Sequence, residues 1–159
     1  MGAHIRRGAR GLKKLDGPVI VVHSLSHALA ALGAATEVNR PIFVLSAPDS
    51  GIYAGPGWFK ALVDAARKAV PEANAMFILD CGDDAGAAQG AIRAGIEALI
   101  FSGRTDVAER LAEIATARGA RLLTTRPIAL LDLGDLFFAD DETLRRHCAD
   151  RLASCSAIC

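Results

Sequence analysis

The sequence lacks several features that would assign it to a common functional class. Its 18 basic and 18 acidic side chains cancel, so the net charge does not favour a nucleic acid as partner. No apolar run approaches the about 20 residues that cross a bilayer, so we expect no membrane contact and a cytoplasmic location. No repeat or linker rich in proline, glycine or serine interrupts the 159 residues, which predicts one domain.

Cysteine is scarce, and its spacing argues against a disulfide framework. Cys148, Cys155 and Cys159 crowd the end of the chain, Cys81 stands alone, and no CxxC spacing occurs. A structural zinc site needs four ligands in tetrahedral geometry. We therefore interpret the last three thiols as incidental groups.

The composition of the chain indicates a globular protein. Hydrophobic residues make up 52% of the chain, enough for a real core. A basic N-terminal arm is predicted over residues 1–17, a single domain over 18–153 and a tail over 154–159. The acidic stretch late in the chain, like the basic arm, is interpreted as solvated.

Short apolar runs alternate with alanine-rich segments of helical length. The runs are continuous rather than alternating, which is typical of parallel strands covered on both faces. The predicted strands are 18–22, 41–45, 75–79, 98–101 and 121–124. The predicted helices are 26–37, 57–70, 85–94 and 106–118, with a last one over 141–152. This order predicts five mostly parallel strands joined by right-handed crossover helices, plus a C-terminal helix that covers apolar surface.

Polar residues follow these strands, at the edge where parallel sheets bind ligands. Asp80 follows a buried run, so partial burial would fit it for general acid or base chemistry. A loop-bracing carboxylate is the equal alternative. His23 is a second candidate for a base, although a lone histidine at a strand end is more often only hydrogen bonded.

Small residues at the same edge predict a ligand site. Ser46 and Gly82 follow two central strands. Ser102, Gly103 and Arg104 combine a glycine, a cation and a helix N-terminus, a combination that holds phosphate. A plain turn capped by Thr105 is the alternative.

Three segments carry a resemblance to a known family. Residues 32–42 run from a helix through Asn39 and Pro41 into a strand, residues 53–55 read Tyr-Ala-Gly, and residues 79–82 read Leu-Asp-Cys-Gly before Ala-Ile-Arg-Ala-Gly at 91–95. In order and spacing, the stretch 19–123 resembles the N-terminal half of the class II ketose-bisphosphate aldolases, the zinc-dependent fructose- and tagatose-bisphosphate enzymes.

The resemblance implies a TIM-barrel lineage in which zinc polarises a ketose carbonyl and an aspartate moves the proton. Asp80 matches that aspartate. Cys81 stands where the family has a zinc-binding histidine, and a thiolate also binds zinc. Ser102 replaces an aspartate, an acidic residue of the fifth strand is missing, and the other ligands belong to a second half-barrel that this chain does not include. We therefore expect no cofactor, with zinc as the metal that the family implies.

Five strands cannot close a barrel. We expect a half barrel or an open flavodoxin-like sheet, and a homodimer that hides the sheet edges. The leading hypothesis is an aldolase-derived domain that binds a small phosphorylated or carbonyl metabolite, or a protein partner, without zinc aldol cleavage. One alternative is an active lyase completed across a dimer, with Asp80 as acid or base and Cys81 as ligand. The other is a structural or regulatory partner protein.

Overall fold

The structure of the protein is a computed structural model, which describes residues 15–155. Most of the predicted arm, residues 1–14, and residues 156–159 of the predicted tail lie outside this range. The division into arm, domain and tail therefore stays a prediction.

The centre of the fold is a parallel sheet of six strands. In chain order they are β1 (Val19–Val22), β2 (Ile42–Ser46), β3 (Ala75–Asp80), β4 (Ala98–Ile100), β5 (Arg121–Leu123) and β6 (Leu131–Asp132). Their order across the sheet is β5-β4-β3-β2-β1-β6, and every pair is parallel. All five predicted strands are present. The predicted total of five is nevertheless wrong, because a sixth strand, the two-residue β6, pairs with the free edge of β1.

The strand order decides between the two architectures considered for the sheet. The first five strands lie side by side in chain order, as successive strands of a barrel do. In a flavodoxin-like sheet the strand order is 2-1-3-4-5, so the first strand lies between the second and the third. The sheet therefore lacks the flavodoxin-like strand order and is open, with β5 and β6 at its edges.

The helices pack on one face of the sheet. They are α1 (Leu25–Glu37), α2 (Ser50–Tyr53), α3 (Pro56–Ala69), α4 (Ala85–Arg93), α5 (Thr105–Ala117) and α6 (Asp141–Ser154), with a 3-10 turn at Leu133–Leu136. The five predicted helices are confirmed. Ile20, Val44 and Leu79 join the buried cluster formed with these helices. α6 packs along α1, as expected for a C-terminal helix that covers apolar surface.

The opposite, inner face has its own apolar cluster, which includes Val21, Leu45 and Ile78. Here the chain between β5 and β6, residues 124–130, crosses the sheet and, together with Leu15, covers part of the cluster. It leaves the carboxyl end of β5 and reaches the amino end of β1, where the Leu130 N–H donates to the Val19 carbonyl at 2.8 Å. Ala129 packs on the inner cluster on the way. We call residues 124–130 the crossing segment.

Within residues 15–155, every helix falls short of the length and apolar character needed to cross a membrane.

Candidate functional site

The sheet register brings the predicted site residues to one edge. Val22 pairs with Ser46, and Asp80 pairs with Ile100, so the carboxyl ends of the central strands lie level. Side chains alternate between the faces of a strand. Because Ile78 lies in the inner cluster and Leu79 in the helix-facing one, Asp80 follows on the inner side.

Asp80 is held by an ion pair with Arg126 of the crossing segment. Arg126 Nη1 lies 2.6 Å from Asp80 Oδ2, and the Gly82 N–H donates to Asp80 Oδ1 at 2.9 Å. Arg126 Nη2 also donates to the Ser46 carbonyl at 2.9 Å. The Asp80 side chain is 7% exposed and that of Arg126 28%. Both carboxylate oxygens are therefore engaged inside the protein.

Ser46 and Gly82 complete this cluster. The Ser46 hydroxyl accepts from the Asp80 N–H at 3.0 Å and donates to the Ala47 carbonyl at 3.0 Å. Gly82 has a φ of +54°, a left-handed conformation that favours glycine. This turn aims the Gly82 N–H back at the Asp80 carboxylate.

His23 forms a second pair at the same edge, with Asp132 of β6. His23 Nε2 lies 2.6 Å from Asp132 Oδ1, which also accepts from the Gly134 N–H at 2.9 Å. Burial alone would raise the pKa of Asp132, but the hydrogen bonds from His23 and Gly134, aided by the charge of Arg126, lower it. The charge of Arg126, the partner of Asp80, thus contributes to lowering the pKa of Asp132.

His27 lies behind His23 and is buried. Its Nδ1 accepts from the His23 N–H at 3.1 Å, and the Phe137 ring packs edge-on against it. Burial and the neighbouring His23 lower the pKa of His27 from 6.5, against an opposing effect of Asp132. The folded protein therefore favours the neutral form of the His27 ring more than the unfolded chain does.

We expect this histidine to make stability depend on pH. Unfolded chains take up a proton at His27 near pH 6.5, whereas the folded protein does so only at lower pH, so stability falls as pH drops below about 6.5. In urea unfolding at pH 7.5 and 5.5, His27→Gln should lose less stability across this interval than the wild type. The control His147→Gln removes a partly exposed histidine of α6 and should follow the wild type. Equal losses in all three proteins would contradict this assignment.

Cys81 lies on the helix-facing side, opposite to Asp80. It is fully buried beside α2, where a Cβ on Gly51 would lie 2.8 Å from its Sγ. Burial, followed by the charges of Asp80 and Asp84, raises the pKa of the Cys81 thiol to about 12. A thiolate, the form that binds zinc, is therefore strongly disfavoured here.

The residues present do not fit a zinc ion. Between residues 15 and 155 no three histidine, cysteine or acidic side chains are grouped so that they could hold a metal. Asp80 has a guanidinium beside it, and Cys81 faces the other way. A cation at Asp80 would have to displace Arg126 first.

The three residues of the predicted phosphate loop lie between β4 and α5. The N-cap residue of α5 is Arg104 rather than the predicted Thr105, and it makes no side-chain capping hydrogen bond. A plain turn stays the alternative to a phosphate loop. The Arg104 guanidinium binds Asp106 at 3.1 and 2.9 Å and is largely exposed. The Ser102 N–H donates to the Gly82 carbonyl at 2.8 Å, which ties this loop to the Asp80 turn. A Cβ on Gly103 would meet the Phe101 ring at 2.5 Å.

Sequence reasoning missed the partners of both candidate catalytic residues. Arg126 was visible only as a polar residue after the fifth strand, and Asp132 lay in the stretch interpreted as solvated. His27 gave a weak signal, since His23 and His27 are one helical turn apart. The missing information is the path of the crossing segment, which brings Arg126 to Asp80.

No protein-family model matches the chain, and no curated protein matches it by sequence.

Solved structures show similarity of fold. A protein assigned as a fructose-1,6-bisphosphate aldolase from Coccidioides immitis matches with a TM-score of 0.57 and 21% identity, over 67% of this chain and 39% of the aldolase. A protein assigned as a tagatose 6-phosphate kinase from Sinorhizobium meliloti 1021 matches with a TM-score of 0.46 and 14% identity, over 87% of this chain and 46% of the kinase. The chain spans less than half the length of either protein. The first similarity shows that this part of the chain has an α/β fold like that of the aldolase.

Proposed function

We propose that this chain is an aldolase-derived domain that binds a small phosphorylated or carbonyl metabolite at the carboxyl edge of its sheet, without zinc-dependent aldol cleavage. One observation carries the proposal. Asp80, the residue to which the resemblance assigns proton transfer, gives one oxygen to the Gly82 N–H and the other to Arg126.

Arg126 is the group that we expect to contact the ligand. An arginine side chain has five N–H donors, and Arg126 uses Nη1 for Asp80 and Nη2 for the Ser46 carbonyl. Its remaining donors can bind a phosphate or a polarised carbonyl oxygen, for which a guanidinium is well suited. Ser46, Gly82 and the Ser102–Arg104 loop surround this position in the proposal.

Zinc chemistry is the weaker alternative because of the cation already beside Asp80. In the active-lyase alternative, Cys81 would have to rotate out of the helix-facing core and lose its proton. Two copies of the chain could also associate through the open sheet edges at β5 and β6, because unpaired edges favour strand pairing. That homodimer remains part of the proposal.

Binding can be tested by calorimetry in chelator-treated buffer. The probes are fructose 1,6-bisphosphate, hydroxyacetone phosphate and inorganic phosphate. We expect the phosphorylated sugar to bind and Arg126→Lys to weaken binding at least about tenfold, because lysine keeps the charge but loses the planar fork. The control Arg118→Lys alters an exposed arginine at the far end of α5 and should leave binding unchanged.

Two results would overturn the proposal. One is the absence of binding of all three probes to the wild type. The other is one zinc per chain that is lost in Cys81→Ala together with aldol cleavage, which would favour the lyase instead. Solution mass, measured on the same samples, tests the homodimer separately.

A further inference from the structure

A short turn after β6 is held at both of its ends. Residues 134–139, which we call the histidine-facing turn, follow Leu133, a fully buried residue, and precede Asp140, the N-cap residue of α6. Between these ends the turn presents two aromatic side chains, Phe137 at 54% exposure and Phe138 at 98%. The turn is therefore a small unit that can move without displacing the sheet.

The turn rests on two histidine rings. The Phe137 and His27 ring centroids are 5.7 Å apart, with 83° between the ring planes. Gly134 packs so closely on His23 that a Cβ there would lie 2.6 Å from Nε2 of that ring. Two partly buried side chains of the turn add contacts with the helix-facing core, namely Leu136 and Ala139. Closure of the turn therefore depends on the state of the two imidazoles.

The position of His27 requires a neutral ring. Its Nδ1 accepts the His23 N–H at 3.1 Å, so Nδ1 carries a lone pair and the proton of the neutral ring lies on Nε2. A second proton would turn Nδ1 into a donor that faces another donor. His27 is also 1% exposed, and an unpaired buried charge is costly. Protonation therefore breaks this hydrogen bond and places a cation under Phe137.

His23 responds differently to a proton. Its Nε2 lies 2.6 Å from Asp132 Oδ1, and a carboxylate accepts a hydrogen bond from the neutral or the charged imidazole. The Gly134 N–H donates to the same oxygen, which holds the start of the turn. Acid therefore leaves the pair of His23 and Asp132 in place and acts on the turn through His27.

The elements around α1 offer His27 little compensation for a positive charge. Burial and then His23 lower the pKa of His27, against the opposing effect of Asp132 on β6. The buried residues of α3 are all apolar. α6 buries one titratable side chain, the Cys148 thiol, which stays neutral because burial raises its pKa to about 11. Asp135 of the turn itself is exposed.

We propose that residues 134–139 are a pH-sensitive turn, which is closed while His27 is neutral and opens when His27 takes up a proton. Opening moves Phe137 off the His27 ring and admits water, to which Nδ1 can then donate. Phe137 becomes exposed beside Phe138 at the carboxyl edge of the sheet. Because no ligand is needed for this change, the inference is independent of the proposed function.

Amide hydrogen exchange resolved by NMR measures the opening. If His27 titrates near pH 6.5 in the open turn and stays neutral in the closed turn, the open population rises about tenfold between pH 7.5 and 5.5. The Gly134 and Ala139 amides donate to Asp132 and to the Leu136 carbonyl. Their protection, corrected for the intrinsic rate at each pH, should fall by about that factor.

Two variants show whether His27 causes this change. In His27→Gln the protection of the turn should fall by less than about twofold over the same pH interval, because glutamine does not titrate. The control His147→Gln should follow the wild type. Low urea concentrations should leave the exchange of the turn unchanged, since a local opening exposes little surface.

The reverse direction of the coupling is tested by removing the aromatic contact. Opening and proton uptake are linked, so a turn that closes poorly should let His27 protonate more readily. In an NMR titration of folded Phe137→Ala, the pKa of His27 should lie nearer to its ordinary value of 6.5 than in the wild type. Phe138→Ala removes the neighbouring, 98% exposed ring and should leave the pKa of His27 as it is in the wild type.

Three results would overturn the inference. The first is an equal pH dependence of the turn amides in the wild type and His27→Gln. The second is exchange of these amides through global unfolding alone, recognised by the same protection and urea dependence as amides of β2. The third is the same His27 titration in Phe137→Ala and Phe138→Ala.

Discussion

Arg126→Met should destabilise the protein by about 3 kcal/mol, the largest loss that we expect from a change in the site. The methionine keeps most of the apolar stem but leaves Asp80 without its cation. Removing one partner of a buried ion pair costs about 3 to 5 kcal/mol, because the remaining charge is uncompensated. We expect the lower end of that range, since the Arg126 side chain is 28% exposed and water can partly replace it. Urea unfolding monitored by circular dichroism measures the change.

A double-mutant cycle shows whether the loss belongs to the pair. Asp80→Asn removes the charge but keeps a similar shape, so Arg126→Met combined with Asp80→Asn should be more stable than the sum of the two single changes predicts. Arg118→Met, at an exposed position, should change stability by less than about 0.5 kcal/mol. Additive losses at Arg126 and Asp80 would mean that their ion pair contributes nothing to stability.

In the proposal, the ion pair of Asp80 and Arg126 contributes both to stability and to ligand binding. Arg126 reaches the edge only because the crossing segment lies over the inner face, and that segment also connects to β6, which carries Asp132. Arg126 belongs to this segment, and Asp132 follows the segment in β6. Both partners therefore come from the part of the chain that follows β5.

Local sequence patterns were sufficient for the elements that are long and apolar. The strand at 75–79 and the helix at 106–118 were each predicted to within one or two residues, because continuous burial and a helical stripe are visible in a short window. β6 could not be found this way. It has two residues, Leu131 and Asp132, and is a strand only because it pairs with β1.

The sequence predicted where the site residues lie but not which residues pair with Asp80 and His23. Strand alternation, applied to Asp80 and Cys81, would have placed them on opposite faces from the sequence alone. The contact between Asp80 and Arg126 joins residues 46 positions apart, and no local pattern carries such information. The similarity to the aldolase covers 67% of this chain and does not by itself assign these contacts a function.

Gly103→Ala should destabilise the protein by about 2 kcal/mol. An alanine Cβ would lie 2.5 Å from Cζ of Phe101, and 3.0 and 3.1 Å from the two neighbouring ring atoms. The Phe101 ring is 1% exposed in the helix-facing core, and a close-packed core accommodates added volume only with strain, at about 1 to 3 kcal/mol. Thermal or urea unfolding gives the size of the loss.

Gly57→Ala is the matched control. Binding of fructose 1,6-bisphosphate then distinguishes between the two possible roles of Gly103. Gly57 lies in α3 with open space around its Cα, so alanine there should be neutral or slightly stabilising because of its higher helix propensity. If Gly103 serves chiefly to make room for Phe101, Gly103→Ala loses stability while the folded protein still binds fructose 1,6-bisphosphate. If it serves close approach of a phosphate to the backbone, binding is lost at unchanged stability. The 2.5 Å that would separate a Cβ at position 103 from the Phe101 ring favours the first result, which would assign anion binding at this edge to Arg126 instead.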